Sequence, residues 1–134
     1  MSDGKSILVI DDDVQLVDSV ETLLTSVGYQ VAHAYQSKKG IELAKQIKPD
    51  LILLDIMFAG PPGPDGIELS RQLNQDSDLE GVPVIILSGV RKVLDYPIKI
   101  FPDERWMPVK AFLEKPIKPD SLLSEIEKVL GRRS

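Results

Sequence analysis

Acidic side chains directly follow two short apolar runs of this chain. The run at residues 7–10 is followed by Asp11, Asp12 and Asp13, and the run at residues 51–54 is followed by Asp55. If both runs are parallel strands, these carboxylates meet at one edge of a sheet. Close carboxylates repel one another unless a cation neutralises them. The spacing therefore predicts a site for a divalent metal that takes part in phosphate chemistry.

Composition limits what else the chain can do. A chain of 134 residues is long enough to bury a substantial core, and we expect a single domain over 1–134 without an output domain. There is no Cys, which excludes disulfides and thiolate chemistry, and the lone His33 cannot build a zinc site by itself. The net charge of -5 argues against direct nucleic-acid binding.

The N-terminal segment is polar, and the apolar stretch after it is too short for a signal peptide or a membrane span. We therefore expect a cytoplasmic protein that has no membrane partner.

Short runs rich in Val, Ile and Leu alternate with segments of helical period, which predicts βα units around a parallel sheet. The candidate strands are residues 6–10, 30–34, 51–54, 83–87 and 111–114. Such a doubly wound sheet binds ligands beyond the carboxyl ends of its strands, where the strand order reverses. Asp11, Asp12 and Asp13 follow one predicted strand and Asp55 follows another, so these acidic residues occupy that position.

The candidate helices connect these strands. The first precedes Gly28, a typical residue after a helix end, and Asp13 is predicted to be its N-cap. Residues 37–47 form a second helix, whose inward face is predicted to contain Ile41, Ala44 and Ile47. A third is predicted at 66–74, and the last begins at Pro119 and ends before Gly131.

The segment at residues 90–110 lacks a helical period and contains Pro97, Pro102 and Pro108. Because proline interrupts helices, we expect this segment to be mostly irregular, so that the fourth helix is atypical or shortened. Trp106 lies in this segment, either buried against the sheet or exposed as an anchor for a partner.

Five ordered motifs give the chain a resemblance to the receiver domains of bacterial response regulators, including single-domain chemotaxis regulators. They are Ile-Leu-Val-Ile-Asp-Asp at 7–12, Leu-Leu-Asp-Ile-Met at 53–57, Pro-Asp-Gly at 64–66, Ile-Leu-Ser-Gly at 86–89 and Phe-Leu-Glu-Lys-Pro at 112–116. The resemblance covers nearly the whole chain. It implies a flavodoxin-like five-stranded parallel sheet of order 2-1-3-4-5.

The resemblance also assigns roles to the site. Asp55 would accept a phosphoryl group from a sensor histidine kinase or a histidine phosphotransfer protein. Mg²⁺, or Mn²⁺ in its place, would be held by Asp11, Asp12, Asp55 and the backbone carbonyl of Met57.

The order of the motifs also implies roles for three further residues. Lys115 would pair with the phosphoryl oxygens, and Ser88 would donate a hydrogen bond to them. Ser88 and Phe112 would change position after phosphorylation and alter the surface that a downstream protein target binds. On this interpretation the chain is a signalling domain that catalyses only its own phosphorylation and dephosphorylation.

Two departures from the family pattern concern other parts of the domain. The loop at residues 60–66 is about three residues longer than the family pattern, and residues 88–115 are also longer than usual. These differences leave the phosphorylation motifs intact and put the family's output surface in doubt.

Two alternatives remain open at this stage. Asp11-Asp12-Asp13 also fits the Asp-x-Asp motif of a haloacid-dehalogenase-like phosphatase with Asp11 as nucleophile, although Asp55 would then have no role. A pseudo-receiver that binds partners without phosphorylation would keep the fold and lack the chemistry.

Overall fold

Five parallel strands form the sheet of the computed structural model, which describes residues 4–55, 82–89 and 109–130. The strands are β1 (Ser6–Ile10), β2 (Gln30–Ala34), β3 (Leu51–Asp55), β4 (Val84–Gly89) and β5 (Val109–Lys115). The predictions for the loop at 60–66, the helix at 66–74, Trp106 and the rest of residues 90–108 lie outside the described residues.

The strand order is β2-β1-β3-β4-β5, and every pairing is parallel. This order confirms the flavodoxin-like doubly wound fold that the sequence resemblance implied. The strand order reverses at β1, because the chain first adds β2 on one side of β1 and then β3 on the other.

Two boundaries of the predicted sheet were two residues off: β4 ends at Gly89 and not at residue 87, and β5 begins at Val109 and not at residue 111. Residues 109 and 110 were assigned to an irregular segment, but β5 begins at Val109, directly after Pro108. A proline just before a strand does not disturb its ladder, since its missing N–H lies outside the paired region. The register shifts between Val84 and Ile85, which pair with Val109 and Ala111, so Lys110 is the extra residue of a bulge.

Three helices are described: α1 (Val14–Ser26), α2 (Ser37–Ile47) and α3 (Pro119–Leu130). Helix α1 begins as predicted, because the Asp13 side chain accepts a hydrogen bond from the Leu16 backbone N–H at 3.1 Å. It ends before Gly28, whose φ of 102° is readily adopted by a residue without a Cβ.

The core consists of two layers, one on each face of the sheet. Alternate strand residues pack against the buried face of α1 and α3, which includes Val17, Leu24 and Ile126. The intervening strand residues form a second cluster with Ala44 of α2. Because side chains alternate along a strand, a strand that is apolar throughout is covered on both faces.

The inward face of α2 differs from the prediction at one position. Ala44 is buried and Ile41 packs against the core, but Ile47 is 37% exposed. Ile47 is the last residue of the helix, where the chain turns back toward β3. Gly40 lies close to β1, since an added Cβ at this position would lie 2.7 Å from Ile10 Cδ1.

Lys48 closes α2 with a left-handed backbone conformation, at φ 48° and ψ 67°. A side chain with a Cβ costs about 1 kcal/mol or more there, whereas glycine does not. We expect Lys48→Gly to raise the free energy of unfolding by about 0.5 kcal/mol, after the larger entropy of glycine in the unfolded chain is counted. Urea denaturation measures the change.

The control is Glu42→Gly, at an exposed position inside the same helix, where glycine should cost about 1 kcal/mol. A loss of stability in both variants would contradict the strain assigned to Lys48.

Among the described residues, no helix has both the length and the apolar character needed to cross a membrane.

Candidate functional site

The carboxyl ends of β1 and β3 lie side by side at the centre of the sheet. The last paired positions of the two strands are Ile10 and Leu54, so Asp11 and Asp55 are the next residues along each chain. Both positions are buried, at 0% exposure for Asp11 and 3% for Asp55. The two apolar strands thus position the carboxylates of Asp11 and Asp55 where the strand order reverses.

Local hydrogen bonds hold the first acidic run. The Asp11 backbone N–H donates to the Ala34 carbonyl at 3.1 Å, which ties the end of β1 to the end of β2. The Asp13 backbone N–H donates to Asp11 Oδ1 at 2.9 Å, while Asp13 itself caps α1. The turn from β1 into α1 therefore fixes the Asp11 carboxylate and leaves Asp12 exposed to solvent.

The three carboxylates form one cluster. One oxygen atom from each of Asp11, Asp12 and Asp55 can be chosen so that all lie within 4.8 Å of one another. A set of carboxylate oxygens, two buried and one exposed, suits a hard cation such as Mg²⁺, which keeps several waters and needs few protein ligands. The residues present therefore fit a Mg²⁺ ion.

The other predicted site residues lie on the neighbouring strands. Asp55 pairs with Leu87 on β4, so Ser88 is one position beyond it on the adjacent strand. Ser88 pairs with Glu114 on β5, and Lys115 pairs with Gly89. The backbone thus places Ser88 one strand from Asp55 and Lys115 two strands away, both toward the carboxyl edge.

Two predicted site residues are not at that edge within the described structure. Phe112 lies in the middle of β5, opposite Ile86. Met57 lies outside the described residues. The roles assigned to Ser88, Lys115, Phe112 and Met57 stay predictions.

Two supports of the site were not predicted from the sequence. The Ala34 carbonyl holds the backbone of Asp11, and Gly40 packs against Ile10, the residue before Asp11. A backbone carbonyl leaves no trace in the residue types. Gly40 did leave a signal, since glycine inside a helical pattern often marks a close approach.

These features define the class of protein. The protein is a flavodoxin-like α/β domain whose acidic cluster lies at the switch point of a parallel sheet, where such domains bind phosphorylated ligands or metal. The sequence profile of the response regulator receiver domain matches residues 7–127, and the chain belongs to this family.

Curated relatives agree with this assignment. Protein PilH of Pseudomonas aeruginosa is 32% identical over 125 residues, which cover 93% of this chain and 97% of PilH. The DNA-binding dual master transcriptional regulator RpaA of Synechocystis is 33% identical over 126 residues, which cover 94% of this chain and 49% of RpaA. The chain thus spans nearly all of PilH and about half of the DNA-binding relative.

Solved structures show the same fold. The Francisella response regulator 1452 receiver domain has a TM-score of 0.77 and 27% identity, with 96% of this chain and 98% of that chain covered. Vibrio cholerae chemotaxis protein CheY4 also has a TM-score of 0.77, with 22% identity and coverage of 94% and 98%. The latter likeness shows the fold alone.

Membership of the family establishes the general role of the chain. Receiver domains are signalling domains of two-component systems and are generally not classical enzymes. They bind Mg²⁺ at an acidic pocket, and they interact with histidine kinases or other phosphodonors and with downstream targets. The acidic cluster of this chain could hold such an ion.

Proposed function

We propose that the chain is a phosphorylation switch in which Asp55 accepts the phosphoryl group. The observation that carries this proposal is the cluster of Asp11, Asp12 and Asp55, because their carboxylate oxygens lie within 4.8 Å of one another at the switch point of the sheet. Asp55 is the member that ends the central strand β3, and it is buried. A carboxylate in such a place acts as a nucleophile when its charge is balanced.

The transfer step uses the phosphohistidine of a sensor kinase or a histidine phosphotransfer protein as donor. A carboxylate oxygen of Asp55 attacks the phosphorus atom, and the P–N bond breaks as the new P–O bond forms. The imidazole nitrogen keeps the electron pair and takes up a proton. Hydrolysis later returns inorganic phosphate and the free carboxylate, so the switch resets itself.

Asp11, Asp12, Asp55 and the backbone carbonyl of Met57 would hold Mg²⁺, or Mn²⁺ in its place. A divalent ion bound there supplies positive charge to the phosphoryl oxygens in the transition state. The hydrogen bond from the Asp13 backbone N–H to Asp11 Oδ1 orients the buried carboxylate of this set. Asp12, which is exposed, remains accessible to the incoming donor.

Lys115 and Ser88 complete the proposed site from β5 and β4. Lys115 would contribute a point charge to the phosphoryl group, and the Ser88 hydroxyl would donate a hydrogen bond to it. Movement of Ser88 would be passed to Phe112, which lies two positions before Glu114, the residue paired with Ser88. A downstream protein target in the cytoplasm would then bind the altered surface of the receiver domain.

The direct test is intact-mass spectrometry after incubation of the chain with Mg²⁺ and acetyl phosphate. We expect one phosphate adduct on the wild type and none on Asp55→Asn, since an amide oxygen is a poor nucleophile. Asp50→Asn is the matched control, because Asp50 lies just before the same strand and should leave the adduct unchanged.

Each other outcome overturns the proposal. An adduct that persists in Asp55→Asn would place the phosphoryl group on another residue. Repeated release of phosphate that depends on Asp11 and not on Asp55 would support a haloacid-dehalogenase-like phosphatase. No adduct on the wild type under any Mg²⁺ concentration would support a pseudo-receiver that acts by binding alone.

A further inference from the structure

His33 on β2 is the single histidine of the chain, and its imidazole is held by Glu21 of α1. The Nδ1 atom of His33 lies 3.0 Å from Oε1 of Glu21. Because an ionised carboxylate can only accept a hydrogen bond, the hydrogen atom of this contact belongs to Nδ1. In the neutral imidazole, the lone pair is then on the other ring nitrogen, Nε2.

The Nε2 atom of His33 is open to solvent. The side chain of His33 is 36% exposed, and Nε2 has no hydrogen-bond partner among the described residues. It is also absent from the buried polar atoms without a partner in that part of the chain. The ring of Tyr35 lies 4.8 Å from the imidazole, inclined by 40°, which limits how the imidazole can turn. The imidazole is therefore held on one side and free to react on the other.

A groove of about 500 Å³ lies beside His33, between β2 and α2. This volume is in the range of small-molecule sites. Lys39 and Glu42 line the helix side of the groove, and both are exposed. No residue in the ranges 4–55, 82–89 and 109–130 forms an ion pair with Lys39. The end of the groove formed by Lys39 therefore attracts an anion, whereas Glu42 repels one.

A carboxylate bonded to Nδ1 of an imidazole activates the opposite nitrogen. It fixes the tautomer, so that Nε2 keeps its lone pair, and it orients the ring. Its negative charge also balances the positive charge that develops on the ring when Nε2 forms a bond. The pair of Glu21 and His33 meets these requirements, and Lys39 in the adjacent groove can attract an anionic reactant.

We propose that His33 is a second phosphoryl-accepting residue, which takes the group from donors that carry it on nitrogen. The Nε2 lone pair attacks phosphorus, and the P–N bond of the donor breaks as the new P–N bond forms. The leaving nitrogen keeps the electron pair and takes up a proton from water. Nδ1 remains hydrogen-bonded to Glu21. Because one P–N bond replaces another, the transfer needs no further reactant, and no step involves the acidic cluster.

The test uses the full chain with Asp55→Asn, incubated with potassium phosphoramidate at pH 8, where imidazole side chains are ordinarily neutral. We expect one phosphate adduct in intact-mass spectra recorded at neutral pH. The adduct should be lost in acid and survive mild alkali, as phosphoryl groups on imidazole do. It should be absent after the further change His33→Gln, which assigns the site because the chain has one histidine.

The Asp55→Asn background separates this result from the proposed function, because it removes the carboxylate that would otherwise be phosphorylated. The wild type gives a second measurement. Its alkali-stable adduct should match that of Asp55→Asn, since an acyl phosphate on Asp55 would be hydrolysed under the same conditions. Circular dichroism checks that each variant is folded.

Two glutamates distinguish an activated imidazole from an ordinary exposed one. Glu21→Ala removes the group bonded to Nδ1 and should slow adduct formation about tenfold or more. Glu42→Ala is the matched control, because Glu42 lines the same groove and forms no hydrogen bond with His33, so this change should not slow the reaction. Lys39→Met should slow it by roughly threefold to tenfold, since the charge that attracts the donor is lost.

Four outcomes overturn the proposal. The first two are no adduct on Asp55→Asn and an adduct that survives His33→Gln. The third is an unchanged rate in Glu21→Ala, because His33 would then react as any exposed imidazole and Glu21 would only join α1 to β2. The fourth is an equal loss of rate in Glu21→Ala and Glu42→Ala, which would indicate an effect of net charge and not of the contact with Nδ1.

Discussion

Millimolar Mg²⁺ should raise the melting temperature of the wild-type chain by roughly 10 °C. An ion that binds only the folded chain adds about 2.7 kcal/mol to the free energy of unfolding at a hundredfold its dissociation constant. For a domain of this size, each kcal/mol corresponds to roughly 4 °C. The gain arises because Asp11 and Asp55 are buried close together, and a cation replaces their mutual repulsion with attraction.

Asp12 and Asp13 are adjacent in the sequence, and substituting each in turn tests whether the shift comes from a bound ion. Asp12→Asn removes one carboxylate of the cluster and should abolish most of the Mg²⁺-dependent shift. Asp13→Asn removes a neighbouring charge of the same sign, but asparagine still caps α1, so its shift should match that of the wild type. Differential scanning fluorimetry at constant ionic strength separates binding from general screening.

Two results would contradict the metal site. The wild type could show no shift at tens of millimolar Mg²⁺, or Asp13→Asn could lose the shift as completely as Asp12→Asn. The second result would point to a diffuse effect of negative charge on α1 and not to a bound ion.

Gly40→Ala should destabilise the chain by about 1 to 3 kcal/mol, although alanine favours helices more than glycine does. The reason is that Ile10 leaves no room for a Cβ atom at residue 40. An added Cβ would lie 2.7 Å from Ile10 Cδ1 and 3.0 Å from its Cγ1 and Cγ2 atoms, and Ile10 is fully buried. Either α2 would move away from the sheet, or Ile10 would leave its position in the core.

A double-mutant cycle with Ile10→Val isolates this contact. Valine lacks the Cδ1 atom, and alone it should cost about 1 kcal/mol. The double variant should be more stable than the sum of the two single changes predicts, because the shorter side chain makes room for the Cβ. Additive free energies from urea denaturation would show that Gly40 is not required by contact with Ile10.

The same cycle has a consequence for the proposed site. Ile10 directly precedes Asp11, so displacement of Ile10 should also weaken the Mg²⁺-dependent stabilisation. Ile10→Val in the Gly40→Ala background should recover part of it. A structural role confined to the core would leave the shift unchanged in both variants.

The parts of the fold that depend on the local pattern of apolar and polar residues could be predicted from the sequence. The strands β1 to β4 were located within two residues at each end, since runs such as Leu51 to Leu54 are apolar on both faces. The cap at Asp13 and the glycine after α1 were predicted from residue type alone. The order of the strands was not derivable from periodicity and came from the resemblance to receiver domains.

The remaining differences come from contacts between distant residues. Ile47 has the spacing of a buried residue, but the chain turns away at the end of α2 before it reaches the core. Gly40 reduces helix propensity, and only the closeness of Ile10 explains why it is there. The bulge at Lys110 depends on how β4 and β5 align, which the pattern of either strand alone does not contain.

The burial of β3 has a consequence for how the domain opens. All five of its residues are buried, and it has a strand on each side, so its amide protons should exchange with solvent only when the whole domain unfolds. Asp55 is the last residue of that strand. The carboxylate proposed to accept the phosphoryl group is therefore attached to the strand of the described sheet that should fluctuate least, while β2 and β5 at the sheet edges can fray without disturbing it.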